Sequence, residues 1–267
     1  MLPSRYFCDL TQPEIAAAFK RHPLVILPAG SVEQHGPHLP TGTDTFAANV
    51  IAHRVAERMD GLVLPGTPLG VTPMHMPYEG TITLTPDTYM RVVTETCAST
   101  AKHGAKYLLI INWHEGNIPS LAIAAEGLHR QHGMTVLTVQ ACYVAEELYG
   151  HSCNGLTHGG EIEALAVLAD RPELVHLDRI EDSSDHTHGH RMDKLRRTRA
   201  YQPVLTDIRS IAPTGWFGSP QHATAEKGAR MLTDIADAIA KEAGDIFKQL
   251  DAVQGGTAEI KHLRQVG

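Results

Sequence analysis

The sequence predicts a three-layer α/β/α sandwich, an α/β fold built on a mainly parallel sheet. Short apolar runs alternate along the chain with amphipathic stretches of helical spacing, which is the pattern of repeated βαβ units. The run at residues 107–111 is almost wholly apolar, as a central strand covered on both faces should be. Right-handed crossovers would place helices on both sides of the sheet. We expect residues 1–267 to form a single domain, because no linker rich in Pro, Gly or Ser divides them.

Each element follows from an apolar run and its spacing. The predicted strands are residues 24–27, 62–64, 107–111 and 134–139, with a short late strand at 204–211. The predicted helices are residues 11–21, 45–59, 85–104, a stretch containing 121–128, residues 161–170 and a long helix from residue 224. Thr11 and Glu14 form the capping box that begins the first helix. Residues 65–85 form a loop long enough to be functional, and we expect the polar, histidine-rich residues 181–203 to be an exposed loop rather than a metal site.

Charge and cysteine content exclude several classes of protein. The chain carries 23 basic and 30 acidic residues, a net charge of −7, which argues against binding to nucleic acids or anionic membranes. No apolar stretch is long enough to span a bilayer, and the N-terminus lacks the apolar region of a signal peptide. The cysteines are widely spaced, as in reduced cytoplasmic proteins: Cys8, Cys97, Cys142 and Cys153. We therefore expect a cytoplasmic protein with a small-molecule partner.

Metal-ligand side chains follow the first predicted strand. Glu33 and His35 lie two residues apart, so in an extended chain both side chains leave the same face. Asp44 lies at the start of a predicted helix, where its alternative role is to cap that helix, and the alternative for His38 is a plain loop position. Two carboxylates and an imidazole beside a buried strand need a charge that offsets their desolvation. A divalent cation supplies that charge.

Two further chain segments carry ligand-type residues. His114 and Glu115 follow the most apolar strand directly, and His158 and Glu163 flank the start of the helix at 161–170. Ligands bind at the carboxyl ends of the strands in open parallel sheets, so we expect all three segments at one sheet edge. Mixed imidazole and carboxylate ligands suit Zn²⁺, Mn²⁺ or Fe²⁺ better than Ca²⁺ or Mg²⁺. P-loop, dinucleotide-binding and GxSxG motifs are missing from the sequence.

These segments resemble the motifs of the creatininase (creatinine amidohydrolase) family. Residues 30–44, GSVEQHGPHLPTGTD, are similar to the signature of that family. The other similar segments are residues 80–84, 112–117 (NWHEGN), 158–163 (HGGEIE) and 223–228. The resemblance runs from about residue 24 to residue 228. It implies an α/β/α sandwich, often assembled as a hexamer, with two divalent metals at the sheet edge.

The resemblance also implies a role for each ligand. Glu33 and His114 would hold one metal, His35 would hold the other, and Asp44 would bridge them. A metal-bridging hydroxide would be the nucleophile, because a dinuclear site lowers the pKa of a shared water.

The sequence departs from the creatinine-cleaving members at the edge of this site. Those members complete the second metal site with a glutamate two residues after the metal-binding histidine, where this chain has Gly116. Glu163, or alternatively Glu115, must then complete it. Asn154 stands where they have a tryptophan, and Glu115 where they have a tyrosine. Creatinine would lose its stacking partners, so we expect a different and more hydrophilic substrate.

Catalytic and substrate-binding residues are expected beside the metals. His158 is the expected general acid/base or carbonyl-polarising group, with helix capping as its alternative role. Glu115 is the second catalytic candidate. For Trp113, packing in the core is the alternative to lining the pocket. The residues expected to bind substrate are His75, Glu79, Trp113 and Asn154.

The sequence thus predicts a dinuclear, metal-dependent amidohydrolase that cleaves a C–N bond in a small, cyclic amide or a related linear one. The first alternative is hydrolysis of another ring carbonyl, such as a lactone or a cyclic ketone. The second is a metal-binding protein or an isomerase without hydrolytic activity, because the fold does not decide the reaction. We expect two divalent ions per chain, Zn²⁺, Mn²⁺ or Fe²⁺, and a homo-oligomer, for which the resemblance favours a hexamer.

Overall fold

The central sheet is parallel, as predicted. The structure, a computed structural model, describes residues 2–180, 189, 191–192, 194–195 and 204–254. The strands of this sheet are β1 (Leu24–Ala29), β2 (Leu62–Val63), β3 (Tyr107–Asn112) and β4 (Thr135–Gln140). Their order is β2-β1-β3-β4. In the pairing of β1 with β3, Ala29 lies opposite Asn112. Both strands therefore end at the same edge of the sheet, and the loops that follow them start side by side.

Helices cover both faces of the sheet. They are α1 (Gln12–Arg21), α2 (Thr43–Met59), α3 (Pro86–Lys102), α4 (Ile118–His132), α5 (Ala141–Tyr149), α6 (Glu161–Leu168) and α7 (Ala225–Gln254). Alternate side chains of β1 enter different cores: Leu24 and Ile26 pack with α2, α5, α6 and α7, whereas Val25 and Leu27 pack with α1, α3 and α4. This alternation, which follows from the two-residue period of a strand, confirms the three-layer α/β/α sandwich.

Three local predictions differ from the structure. The helix α5 was not predicted, and the predicted late strand at 204–211 is wrong, because residues 208–210 form a 3₁₀ turn. Ile208 and Ile211 pack instead into a small separate cluster with Phe217, which removes the need for strand pairing. Within the predicted exposed loop at 181–203, the described residues 189, 191–192 and 194–195 are helical and Gly189 is buried, so the prediction is wrong there; the other residues of this segment lie outside the described residues. None of the described helices combines the length and the apolar content needed to cross a membrane.

Candidate metal centre

The five predicted metal ligands meet at the edge where β1 and β3 end. Each is at most 8% exposed: Glu33, His35, Asp44, His114 and Glu163. Two groups of three among them have ligand atoms within 4.8 Å of one another: Glu33, Asp44 and His114, and His35, Asp44 and Glu163. A third group of the same kind joins Glu33 and His35 to His158. Asp44 belongs to the first two groups, whereas Glu115 belongs to none.

The two carboxylate oxygens of Asp44 face different histidines. Oδ1 lies 3.3 Å from Nε2 of His35, and Oδ2 lies 3.1 Å from Nδ1 of His114. The hydroxyl of Ser31 donates to Oδ2 at 2.7 Å. Burial raises the pKa of Asp44, but the two histidines outweigh it and hold that pKa well below its usual range. Asp44 lies in the first turn of α2, whose N-cap is Gly42, so it does not act as the cap.

Backbone carbonyls fix the proton on both histidines. Nδ1 of His35 lies 3.0 Å from the carbonyl oxygen of Glu33, and Nε2 of His114 lies 3.0 Å from that of Val71. A carbonyl only accepts, so each of these ring nitrogens carries a hydrogen and donates it. In the neutral ring the other nitrogen presents a bare lone pair to carboxylates, which also only accept. For His35 that atom, Nε2, is buried without a hydrogen-bond partner. Lone pairs that face one another in this way fit a divalent cation, and carbonyl-anchored histidines are typical of metal sites.

Without a cation, His35 and His114 each bind a second proton, which lies between the ring nitrogen and the carboxylates that face it. Burial lowers the pKa of His35, but the surrounding carboxylates, chiefly Glu163, outweigh it and raise the pKa to about 10. Burial also lowers the pKa of His114, and the carboxylates of Glu33 and Asp44 raise it to about 9. Both rings are therefore charged at neutral pH in the metal-free protein.

Metal binding should release protons as a result. A ligating histidine must be neutral and a ligating carboxyl ionised, so at pH 7.5 entering cations displace the protons of His35 and His114 and that of Glu163, whose pKa burial raises to about 8: at least two protons per chain. Protons compete with the metal below these raised pKa values, so the apparent affinity should fall as the pH is lowered from 9 to 7. Calorimetric titration with Mn²⁺ in two buffers of different ionisation enthalpy measures the release. Binding heats that do not depend on the buffer would contradict it.

Glu33 is oriented by a residue that the sequence did not single out. The hydroxyl of Thr72 donates a short hydrogen bond to Oε2 of Glu33, and the same oxygen lies 3.3 Å from Nδ1 of His114. The other oxygen, Oε1, lies 3.5 Å from Nε2 of His75 and 3.8 Å from Nδ1 of His158. Glu33 therefore faces the metal position with one oxygen and two further histidines with the other.

Gln34 contacts two histidines that are not among the five predicted ligands, His75 and His158. Its Oε1 accepts the backbone N–H of Gly36 at 3.1 Å, and its Nε2 donates to the carbonyl of Gly215 at 2.7 Å. Nε2 of His158 lies 2.8 Å from the backbone carbonyl oxygen of Gln34, so that nitrogen carries the ring hydrogen. The second amide hydrogen of Gln34 is then left for Nδ1 of His75 at 3.1 Å. Nδ1 of His158 consequently faces the metal position as an acceptor.

Two asparagines of the segment 112–117 tie the loops together. The side chain of Asn117 accepts from the N–H of Val71 at 2.9 Å and donates to the carbonyl of Gly30 at 2.9 Å. Asn112 donates to the carbonyl of His114 at 2.7 Å. The sequence motif at 112–117 contains both asparagines but does not predict a role for either of them. The sequence feature that could have indicated such a role is that Asn112 ends the most apolar strand and Asn117 ends the short turn that follows it.

Gly116 leaves room for the carbonyl that anchors His114. A Cβ at this position would lie 2.2 Å from the carbonyl oxygen of Val71 and 2.5 Å from Nε2 of His114. The glutamate that creatinine-cleaving members carry here therefore does not fit this backbone. Glu163, held by the N–H of Gly159 at 2.6 Å, lies with Asp44 and His35 instead.

Gly116→Ala should therefore weaken metal binding, because the methyl group would push Val71 away from His114. We expect a loss of about 10- to 100-fold in affinity, as for other changes to groups that orient a ligand. Gly127→Ala is the matched control, because nothing lies within 4 Å of a Cβ built there. Calorimetric titration of both variants with Mn²⁺ makes the comparison. Equal affinities would show that the Val71 contact is not needed.

A cavity of about 820 Å³ opens onto the ligands. His75, Trp113, Glu115 and His158 line it, together with the ligands Glu33, Asp44, His114 and Glu163. Glu79 lines a second, neighbouring cavity of about 480 Å³ instead. Asn154 lines neither cavity: it is exposed, in the left-handed region at φ 56°, and contacts Ser219 at 3.4 Å. Asn154 lies four residues before His158 in the sequence, but that spacing did not indicate that its side chain is outside the cavity.

Known proteins of one family are similar to this chain. The family model described as creatinine amidohydrolase (Creatininase) matches residues 8–243. The chain is 30% identical over 227 residues to a mycofactocin precursor peptide peptidase of Mycobacterium ulcerans (strain Agy99), covering 80% of this chain and 82% of the relative. It is 30% identical over 268 residues to the creatinine amidohydrolase of Pseudomonas putida, covering 91% and 98%. It is 26% identical over 287 residues to a 3-dehydro-scyllo-inosose hydrolase of Thermotoga maritima (strain ATCC 43589 / DSM 3109 / JCM 10099 / NBRC 100826 / MSB8), covering 97% and 89%.

Solved structures show the same likeness. A manganese form of creatininase superposes with a TM-score of 0.75 at 27% identity, covering 91% of this chain and 99% of that one. A creatininase variant of Zn–Zn type superposes with a TM-score of 0.76 at 26% identity, covering 92% and 99%. The family model spans most of the chain, and the buried carboxylates and histidines that we predicted from the family motifs meet at one sheet edge. The chain therefore belongs to the creatininase family.

Proposed function

We propose that this creatininase-family hydrolase cleaves a C–N bond in a small amide at a dinuclear metal site. Glu33 and His114 would hold one cation, His35 and Glu163 the other, and Asp44 would bridge the two. Each cation is Zn²⁺, Mn²⁺ or Fe²⁺, the ions that mixed imidazole and carboxylate ligands suit. When bound, the two cations would polarise the substrate carbonyl and lower the pKa of a shared water, so that hydrolysis runs near neutral pH.

The observation that carries this proposal is the position of Asp44. Its two oxygens face His35 and His114 separately, at 3.3 Å and 3.1 Å, and it is the residue common to the two groups formed by the five predicted ligands alone. A mononuclear site would need only one of these groups. Five buried ligands that share one carboxylate are what a two-ion site requires.

His158 is positioned to move the proton that amide hydrolysis requires. Burial lowers its pKa well below the ordinary value, with His75 and His35 adding to the effect, so the ring is neutral. Nδ1 then accepts a proton from the attacking water and returns it to the leaving nitrogen, while Nε2 stays bonded to the carbonyl of Gln34. Glu115 lines the same cavity and is the second candidate for contact with the substrate.

A second candidate function is hydrolysis of a cyclic ketone. It is favoured by the relative from Thermotoga maritima, which is named for the hydrolysis of an inosose. The same polarised carbonyl and the same His158 serve this reaction, in which a C–C rather than a C–N bond breaks. Lactones, the other ring carbonyls considered from the sequence, are assayed in the same substrate screen.

Metal analysis with a substrate screen tests the proposal. The purified protein is loaded with Mn²⁺ or Zn²⁺, its metal content is measured, and it is assayed against cyclic and linear amides, lactones and cyclic ketones. We expect two ions per chain and turnover of amides. Turnover of ketones alone supports the second function, and two ions without any turnover supports a metal-binding protein or an isomerase.

The proposal includes a cytoplasmic homo-oligomer, with a hexamer favoured by the family resemblance. The edge strand β4 is only half-buried along its whole length, unlike the fully buried β1. Such an edge needs a cover in a stable sheet protein, and a second copy can provide it. Light scattering of the purified protein measures the mass of the assembly.

A further inference from the structure

The cavity at the metal ligands has a large apolar part that the proposed chemistry does not use. Besides the ligands, its lining includes Met74, Val204, Leu205, Ile208, Ile211 and Phe217. Ile208, Ile211 and Phe217 are each at most 4% exposed and form a packed cluster separate from the two sheet cores. Met74 and Leu205 pack against this cluster and stay partly exposed, so with the exposed Val204 they form the apolar surface that a ligand can contact.

The charge around the cavity disfavours a charged substrate. None of the lining residues that the structure describes is a lysine or an arginine. Four carboxylates line it, from Glu33, Asp44, Glu163 and Glu115, and they would neutralise two divalent cations. The charges of carboxylates and cations then cancel, so the site does not attract a charged group, and an anionic group would find no lysine or arginine among the described lining residues. A neutral substrate needs no such partner.

The size of the cavity disfavours a very small substrate. A volume of about 820 Å³ lies in the upper part of the range that holds drug-sized ligands, about 300–1,000 Å³. A bare ring amide fills a small part of it and leaves the apolar surface in contact with water. A substrate with an apolar substituent would cover that surface.

We propose that the substrate is an uncharged amide that carries a bulky apolar group, of the size of a leucine or phenylalanine side chain. The amide carbonyl lies at the metal ligands, and the apolar group lies against Met74, Val204 and Leu205, the apolar lining residues that are at least partly exposed. This inference rests on the proposed amide hydrolysis. It differs from the hydrophilic substrate expected from Asn154 and Glu115, of which Glu115 lines the cavity and Asn154 does not.

A matched pair of neutral amides tests the apolar group. N-acetylglycinamide and N-acetylleucinamide differ only in the side chain, and both are assayed with the Mn²⁺-loaded protein. Burying a leucine side chain predicts that kcat/KM is higher for the leucine compound by a factor of about ten or more. Equal values for the two compounds would overturn the inference while leaving the amidohydrolase proposal intact.

Binding separates the two proposals if neither amide is hydrolysed. The same pair is then titrated calorimetrically into the Mn²⁺-loaded protein. Tighter binding of the leucine compound, by about tenfold, supports the apolar site and counts only against the hydrolase proposal. Equal or undetectable binding of the two overturns the apolar site as well.

An exposed residue of the apolar surface gives a variant that should fold normally. Val204 is 87% exposed, so Val204→Asp adds a charge to the cavity without disturbing a core. We expect the preference for the leucine compound to fall by at least threefold. Ile123→Asp is the matched control, because Ile123 is 62% exposed on α4 and lines neither cavity. A preference that is unchanged in Val204→Asp, or lost equally in both variants, contradicts the proposed placement of the apolar group.

Discussion

Asp44→Asn is expected to remove both metal ions and to lower kcat at least 100-fold. Asparagine has the same shape, but its amide nitrogen offers hydrogens where a lone pair is needed, so one of the two histidines loses its shared partner. Changes to groups that only orient a metal ligand cost about 10- to 100-fold, and Asp44 contacts both metal positions directly. The metal content per chain, measured by elemental analysis after dialysis, should fall from two ions towards none.

Two further variants make this result specific. Glu163→Gln should remove one ion and keep the other, because Glu163 belongs only to the group of His35 and Asp44. Asp87→Asn is the matched control, because Asp87 also lies in the first turn of a helix, α3, but is exposed. An Asp44→Asn protein that keeps two ions, or a Glu163→Gln protein that loses both, would exclude the shared-carboxylate arrangement.

The convergence of the ligands could be predicted from the sequence because parallel strands impose it. The loops after β1 and β3 must leave the same sheet edge, so Glu33, His35 and His114 were placed together without knowledge of the register. Asp44 and Glu163 were singled out as carboxylates in the polar segments beside predicted helix starts, and the family resemblance implied the bridging role of Asp44. The sequence left the choice between Glu163 and Glu115 open, because it does not show which carboxylate reaches Asp44 and His35; in the structure Glu163 lies in that group and Glu115 does not.

The residues that orient the ligands were not predictable in the same way. Thr72 lies 39 positions from Glu33, and Gly215 lies 181 positions from Gln34. Such contacts depend on how distant loops pack, which a periodic pattern does not encode. The apolar residues at 204–211 were misassigned to a strand for a related reason: a short apolar run fits a strand and a packed loop equally well.

His158→Gln is expected to lower kcat by a factor of about 10² to 10⁴, the usual contribution of a general acid/base. Glutamine fills similar space and can still donate to the carbonyl of Gln34, but it cannot accept and return a proton at the position of Nδ1. The ligand groups allow a competing role, because Glu33, His35 and His158 also lie close enough to share an ion. Metal content therefore has to be measured beside the rate.

The two roles of His158 give different results. A proton carrier predicts two retained ions, a KM changed much less than kcat, and a larger loss for substrates with a poor leaving nitrogen, because those depend most on protonation. A metal ligand predicts loss of an ion and a rate that excess Mn²⁺ partly restores. His132→Gln, at an exposed position near the end of α4, is the control for a general effect of the substitution. Since Nε2 of His158 is already committed to the carbonyl of Gln34, only Nδ1 is free to take either role, and retained metal with lost turnover would assign it to proton transfer.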